Sequence, residues 1–228
     1  NLALKYAPRP VVAAPHGMSL GGGCEVPLHA ARIHAAAEAY LGLVEAGVGL
    51  IPAGGGTKEM LIRANENARL LAPSGAALAP PSAEGDMDLF HALKPVFENI
   101  AMAKVGTSAE ESRQLGYLRS SDLVAMNRDR LVAAAKQTAL ALVRAGYRPP
   151  ARPEIRVLGE SFLAAAKLAI HMMLRGEYIS EYDAVVARHL ANVLAGGPLS
   201  APQMVSEQYV LDLEDKLGLT SRRPTTFG

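Results

Sequence analysis

The sequence predicts an α/β core followed by a helical region, and three observations carry that prediction. A short apolar run, Pro10-Val11-Val12-Ala13-Ala14, leads into Gly21-Gly22-Gly23 and then into residues able to run on as a helix, the strand–turn–helix order of an α/β unit. A second run with polar–apolar alternation, Arg32-Ile33-His34-Ala35, follows it closely. Beyond Asn127 apolar residues recur at helical spacing, and glycines close the stretches. With 228 residues, 50% hydrophobic and 20% charged, the chain is long enough for one large domain or a domain with an appendage.

Taken in order, the elements read as follows. A helix is expected from about Gly22 to Ala31, with Pro27 in its first turn, where a missing N–H costs nothing. Tyr40-Leu41-Gly42-Leu43 leads to Glu45, after which Gly47, Gly49 and Pro52 break any regular element. Thr57 is placed to cap a helix from Lys58 to Ala64. From Asn65 to Asp88 the pattern weakens and an exposed loop or insertion is expected. Leu93, Val96, Phe97 and Ile100 mark a helix between Leu89 and Ala101, and Ser108-Ala109-Glu110-Glu111 reads as a capping box whose helix ends at Gly116. Further helices are expected from Asn127 to Ala145, from Glu160 to Arg175 with Phe162, Ala166, Ala169 and Met173 on one face, and from Glu181 to Leu194 behind a Ser180 cap. Ser200-Ala201-Pro202-Gln203 reads as a capping box opening a last helix to about Glu214. This divides the chain into a core over 1–123 with its insertion near 65–88, a helical region over 124–214, and a disordered tail over 215–228.

Composition excludes several functions. The net charge is +1 with basic residues dispersed, so nothing favours nucleic acid or an anionic membrane as partner. Cys24 is the only cysteine, which rules out an internal disulfide and a cysteine-based metal cluster, and it reads as a small buried residue. His16, His29 and His34 are spaced too irregularly for a metal site, so no metal is expected. No apolar run reaches membrane-spanning length and no signal peptide opens the chain, so a cytoplasmic setting is expected. The chain opens without Met, close to a strand, and a fragment is expected. Gly54-Gly55-Gly56-Thr57-Lys58 lacks the order of a phosphate loop and reads as a loop-to-helix turn.

The chemistry concentrates in His16-Gly17-Met18-Ser19-Leu20-Gly21-Gly22-Gly23-Cys24-Glu25 and in Gly42-Leu43-Val44-Glu45-Ala46-Gly47-Val48-Gly49. Three glycines at a helix start let backbone N–H groups approach a ligand, and the helix dipole favours a developing negative charge there. Glu25 and Glu45 both lie among apolar residues, which raises a carboxylic acid's pKa and suits it to general acid–base work.

These stretches, together with Ile51-Pro52 and Gly55-Gly56-Thr57, resemble the signature of the crotonase (enoyl-CoA hydratase/isomerase) superfamily. The resemblance is dense from about Pro8 to Leu61 and resumes weakly from Thr107 to Leu118. It implies a crotonase-like spiral of ββα units, N-terminally truncated, with a helical C-terminal region. It also implies roles. The Gly22 N–H is one of two oxyanion-hole donors to an acyl-CoA thioester oxygen, with Gly21, Gly23, Ala53 and Gly54 against the substrate. Glu25 and Glu45 hold a water and add it across the 2,3 double bond of a trans-2-enoyl-CoA, as in fatty-acid β-oxidation. Addition at C3 builds enolate charge on the thioester oxygen, and removing one such donor costs roughly 3–4 kcal/mol in comparable sites. Both glutamates are present, which favours hydratase over isomerase.

The sequence also departs from the family. The second oxyanion donor belongs to a segment upstream of Pro8, and the usual Pro-Gly-Ala-Gly-Gly-Thr is Pro52-Ala53-Gly54-Gly55-Gly56-Thr57 here. Ala31 stands where an Asp is common. The region from Asn65 to Asp88 and the later helices resemble the hydratase portion of bacterial 3-hydroxyacyl-CoA dehydrogenase fusion proteins. That implies no cofactor in this portion, NAD in a fused upstream domain, and assembly into a homo-oligomer. Isomerase chemistry, another CoA-thioester reaction, or a non-catalytic assembly role stay open alternatives, and the chain alone is expected to be inactive.

Overall fold

The computed structural model describes residues 1–71 and 83–220. The first part alternates very short strands with turns and helices. Helix α1 (Leu2–Lys5) precedes strands β1 (Val12–Ala13) and β2 (Met18–Leu20), helix α2 (Gly22–Leu28), and strands β3 (Arg32–Ala36) and β4 (Tyr40–Gly42). A 3₁₀ turn, Glu45–Val48, leads to the long helices α3 (Gly56–Leu71) and α4 (Ala83–Ala101). After α5 (Ala109–Gln114), strand β5 (Leu123–Ala125) returns to the sheet. Helix α6 (Leu131–Arg144), strand β6 (Glu154–Val157), helices α7 (Glu160–Arg175) and α8 (Glu181–Ala195), strand β7 (Gln203–Ser206) and helix α9 (Glu207–Thr220) complete the described chain.

Parallel pairing dominates the first part because each strand is followed by a crossover rather than a hairpin. β1, β3 and β5 form one sheet in that order, and β2 pairs with β4 in parallel, with Met18 opposite Tyr40 and Leu20 opposite Gly42. β6 and β7 form a separate antiparallel pair, Ile155 opposite Val205.

One buried apolar cluster runs from Cys24 and Leu28 through Leu61 and Leu93 to Leu190 and Val210. Helices α3 and α4 pack along each other, and α8 lies across both. Phe97 of α4 meets Phe162 of α7 edge-to-face at 6.4 Å between ring centres. Leu89, Leu93, Val96, Phe97 and Ile100 are all buried, as their spacing predicts, and each such side chain contributes about 1.5–3 kcal/mol. Among the described residues no helix is long and apolar enough to cross a membrane.

Several expectations are corrected. Helix α2 stops at Leu28, and Pro27 sits near its end rather than in its first turn; lacking an N–H toward Gly23, it helps to end the helix there. Helix α3 starts at Gly56 and contains Thr57, whose hydroxyl donates to the Pro52 carbonyl at 3.1 Å instead of capping. The expected loop over 65–88 is helical up to Leu71 and again from Ala83, because α3 and α4 pack on each other; residues 72–82 lie outside the described residues. Ser108 does accept from the Glu111 N–H at 3.1 Å, but Glu111 answers to Thr107, so the box is not reciprocal. On α7 the buried face is Phe162, Leu163, Ala166 and Ile170, while Ala169 is exposed. Gln203 lies in β7 rather than in a helix, because β6 supplies a partner strand; α9 begins at Glu207. The expected tail is helical to Thr220, and 221–228 lie outside the described residues. Strands β2, β4 and β6 are too short to register as patterns.

Candidate active site

The pairing of β2 with β4 brings the two glutamates together. Both strands run the same way and end at the same level, so the turn after Leu20 lies beside the turn after Gly42. The Gly21 N–H donates to the Gly42 carbonyl at 2.8 Å and closes this junction. Gly21 is the N-cap of α2 with φ +56°, a conformation that favours glycine. A Cβ on Gly21 would lie 3.2 Å from Glu45 Oε1, so the Glu45 carboxylate rests against the glycine turn that precedes it in the chain.

Glu25, one turn into α2, is buried. Its Oε1 accepts from the Gly54 N–H at 2.8 Å and the Gly56 N–H at 2.9 Å. The Gly54-Gly55-Gly56 loop approaches so closely that a Cβ on Gly54 would lie 2.1 Å from Glu25 Oε2. Only a bare backbone fits there.

The remaining site glycines form an outer lip. Gly22 and Gly23 are the first two residues of α2 and are exposed, with N–H groups that have no acceptor within the helix. Ala53 and Gly54 are exposed as well, and the Asn1 side-chain amide donates to the Gly54 carbonyl at 2.7 Å. A groove of about 520 Å³ lined by Val48, Gly49, Leu50, Ser180 and Tyr182 borders the turn that Glu45 opens.

The two acids sit in different electrical surroundings. Burial pushes Glu45 up to about 7, the negative charge of Glu25 adds to this, and the backbone N–H groups of Glu45 and Val44 oppose it. Its Oε2 is buried and has no hydrogen-bond partner among the described residues. An acid poised near neutrality beside a carboxylate fixed by two N–H groups can give a proton while its neighbour takes one. Cys24 is fully buried, with its thiol pushed up to about 12 chiefly by burial, and packs as an apolar residue.

Behind Glu25 lies an ionic network that periodicity did not reveal. Lys58 Nζ is within 2.9 Å of His29 Nε2 and Glu207 Oε1, and it pairs with Glu59 Oε1. Lys5 joins Glu59 at 2.7 Å and Glu207 at 2.8 Å. Burial depresses His29 to about 4, so the ring is neutral near pH 7; Nδ1–H donates to the Glu25 carbonyl at 2.7 Å and Nε2 accepts from Lys58. Glu214 of α9 accepts from the Lys58 N–H. A sequence signal for α9 did exist: Glu207, Val210 and Glu214 fall on one helical face, and all three are buried.

The chain is similar in sequence to known proteins over part of its length. A sequence model of the enoyl-CoA hydratase/isomerase family matches residues 2–69. Over those residues the chain is similar to that family. The chain is also 45% identical over 213 residues to a probable 3-hydroxyacyl-CoA dehydrogenase of Bacillus subtilis, an alignment covering 93% of this chain but 25% of that protein. It is 39% identical over 57 residues to a short-chain-enoyl-CoA hydratase of Clostridium acetobutylicum, covering 25% of this chain and 22% of the relative. The chain therefore spans about a quarter of the length of these curated relatives. An enoyl-CoA hydratase crystal structure from Bacillus anthracis aligns over 96% of this chain and 57% of its own, at 19% identity and a TM-score of 0.43. At that score the likeness assigns no residue roles.

Proposed function

We propose that this chain is the hydratase portion of a longer 3-hydroxyacyl-CoA dehydrogenase-type protein, adding water to a trans-2-enoyl-CoA to give the 3-hydroxyacyl-CoA. The observation that carries the reading is the meeting of Glu25 and Glu45 at one glycine turn, one fixed by two N–H groups and the other pushed up to about 7. Glu25 takes a proton from the water as its oxygen bonds to C3, and Glu45 delivers its own proton to C2. Charge moves onto the thioester oxygen, where the Gly22 N–H is a donor. Gly21, Gly23, Ala53 and Gly54 shape the surface against the substrate. The family match over residues 2–69 and the 45% identity to the Bacillus subtilis protein support the assignment. The hydration itself calls on no metal or redox cofactor; NAD belongs to the dehydrogenase reaction of the longer protein. A cytoplasmic setting goes with this reading. So does self-association, supported by the exposed Val132 and Val143 of α6 and Leu168 and Met172 of α7, and sedimentation would read it directly.

The test is hydration of crotonyl-CoA by the wild type, Glu25→Gln and Glu45→Gln, in this chain and in the longer protein. Loss of hydration in both variants supports the hydratase. Double-bond migration that survives Glu25→Gln makes the enzyme an isomerase. Absence of CoA-thioester binding to the longer wild-type protein, measured by calorimetry, makes this region an assembly module.

A further inference from the structure

We infer that Glu214, carried on the last described helix, is a positioning residue for the candidate site: it holds the first turn of α3, and thereby the Gly54 and Gly56 N–H groups that fix Glu25. The inference rests on reading Glu25 as a reacting carboxylate.

Two carboxylates from distant parts of the chain divide the N–H groups at the start of α3. Glu25 Oε1 takes those of Gly54 and Gly56, and Glu214 Oε1 takes that of Lys58. The Gly55 N–H also faces Glu214 and favours its charge. These are the N–H groups that a helix start leaves without internal partners, so each acid replaces a missing acceptor. Thr57, the residue whose type suits a cap, is turned away to the Pro52 carbonyl, which leaves the task to the two acids.

A second contact ties α9 to the same loop. Gly218 lies one turn beyond Glu214, and a Cβ on it would sit 2.8 Å from the Ala53 Cβ. The helix backbone therefore presses on the loop just before Gly54. Glu214 is completely buried, and among the described residues its Oε2 has no hydrogen-bond partner. Burial, the largest influence, and the negative charge of Glu25 push it well above the usual carboxylate range, against the Lys58 and Gly55 N–H groups and the Lys58 ammonium.

The experiment compares Glu214→Gln with Glu214→Leu in the same protein. The amide keeps an acceptor of the same reach, while leucine removes it. Backbone hydrogen exchange at Gly54, Gly56 and Lys58 should quicken on the order of tenfold in Glu214→Leu and stay near wild type in Glu214→Gln. Where the wild type hydrates crotonyl-CoA, kcat should fall about tenfold to a hundredfold in Glu214→Leu with KM little changed, and Glu214→Gln should restore most of it. Unchanged exchange at the three amides in a folded Glu214→Leu would overturn the inference. So would exchange in Glu214→Gln about tenfold faster than in wild type, a comparison that holds even if the leucine variant fails to fold. A wild type that folds but does not hydrate enoyl-CoA refutes the functional reading and leaves the exchange result standing by itself.

Discussion

Two groups of acids meet around the start of helix α3, and they are built on opposite plans. Glu25, Glu45 and Glu214 meet backbone N–H groups and one another, with few cations near them. Glu59 and Glu207 meet Lys5 and Lys58, and Arg119 lies 3.8 Å from Glu59. The consequence is a split in proton affinity. Glu45 is raised to about 7 by burial, and burial raises Glu214 well above the usual carboxylate range, while Glu59 is held at about 2 because the Lys58 and Lys5 ammoniums outweigh its burial. Burial alone does not distinguish a reacting acid from a structural one. The partner does: a cation locks a carboxylate in its charged form, whereas N–H groups and apolar walls leave the proton exchangeable.

The sharpest way to break this contrast is to neutralise one member of each group. Glu45→Gln and Glu25→Gln should each cut crotonyl-CoA hydration by about 10²- to 10⁴-fold, with the denaturation midpoint near that of wild type. Lys58→Met should do the reverse to stability: stripping a cation from buried Glu59 and Glu207 should cost about 3–5 kcal/mol in urea unfolding. If Glu45→Gln unfolds the protein, or Lys58→Met leaves stability unchanged, the two groups are not distinct. Gly54→Ala comes next. Its methyl would collide with Glu25 Oε2, so the acid must move and hydration should fall by about a hundredfold while the far network keeps its ion pairs.

How much of this was legible in the sequence follows the same division. The glycine turn, Glu25 and Glu45 were readable because glycines and acids in an apolar setting are rare combinations with a chemical purpose. Their meeting was implied by the family resemblance and not by periodicity, because it depends on β2 and β4, each three residues long and lacking any periodic signature. The helices α6, α7 and α8 were legible from helical spacing and glycine ends, although α6 begins at Leu131 rather than Asn127 and the face read for α7 was only partly right; Ser180 caps α8 as read. Gln203 misled because a strand partner, Glu154–Val157, overrode its local propensity. Glu214 and the Lys58 network escaped because a charged residue on a helix normally faces water, and only the tertiary contacts of α3 with α9 put these inside.

pH offers a finer division between the groups. Glu45 binds its proton more tightly in the folded chain, about 7 against an ordinary 4.5, so its contribution makes stability fall as pH rises through that window, and raised Glu214 acts in the same sense. Glu59 does the opposite: its depressed pKa stabilises above 4.5, and that contribution is lost as pH falls toward 2. Unfolding curves across pH 2 to 8 should therefore show the upper slope shrink in Glu45→Gln and the lower slope shrink in Lys58→Met. Hydration, which needs Glu45 protonated, should decline above about pH 7.

The smallest expected effect checks whether the division extends to α8. Ser180 accepts from the Asp183 N–H at 3.1 Å, and Asp183 accepts from the Ser180 N–H at 3.0 Å, a complete capping box. Ser180→Ala should cost about 1 kcal/mol and leave both pH slopes unaltered. The same helix start carries Tyr182, whose hydroxyl donates to the Gly49 carbonyl at 3.0 Å, one residue past the turn that Glu45 opens. If the cap serves stability alone, hydration in Ser180→Ala stays within about twofold of wild type. A larger loss would mean that α8 holds the Glu45 turn as α9 holds the Glu25 loop, and the C-terminal helices would then brace both acids of the site.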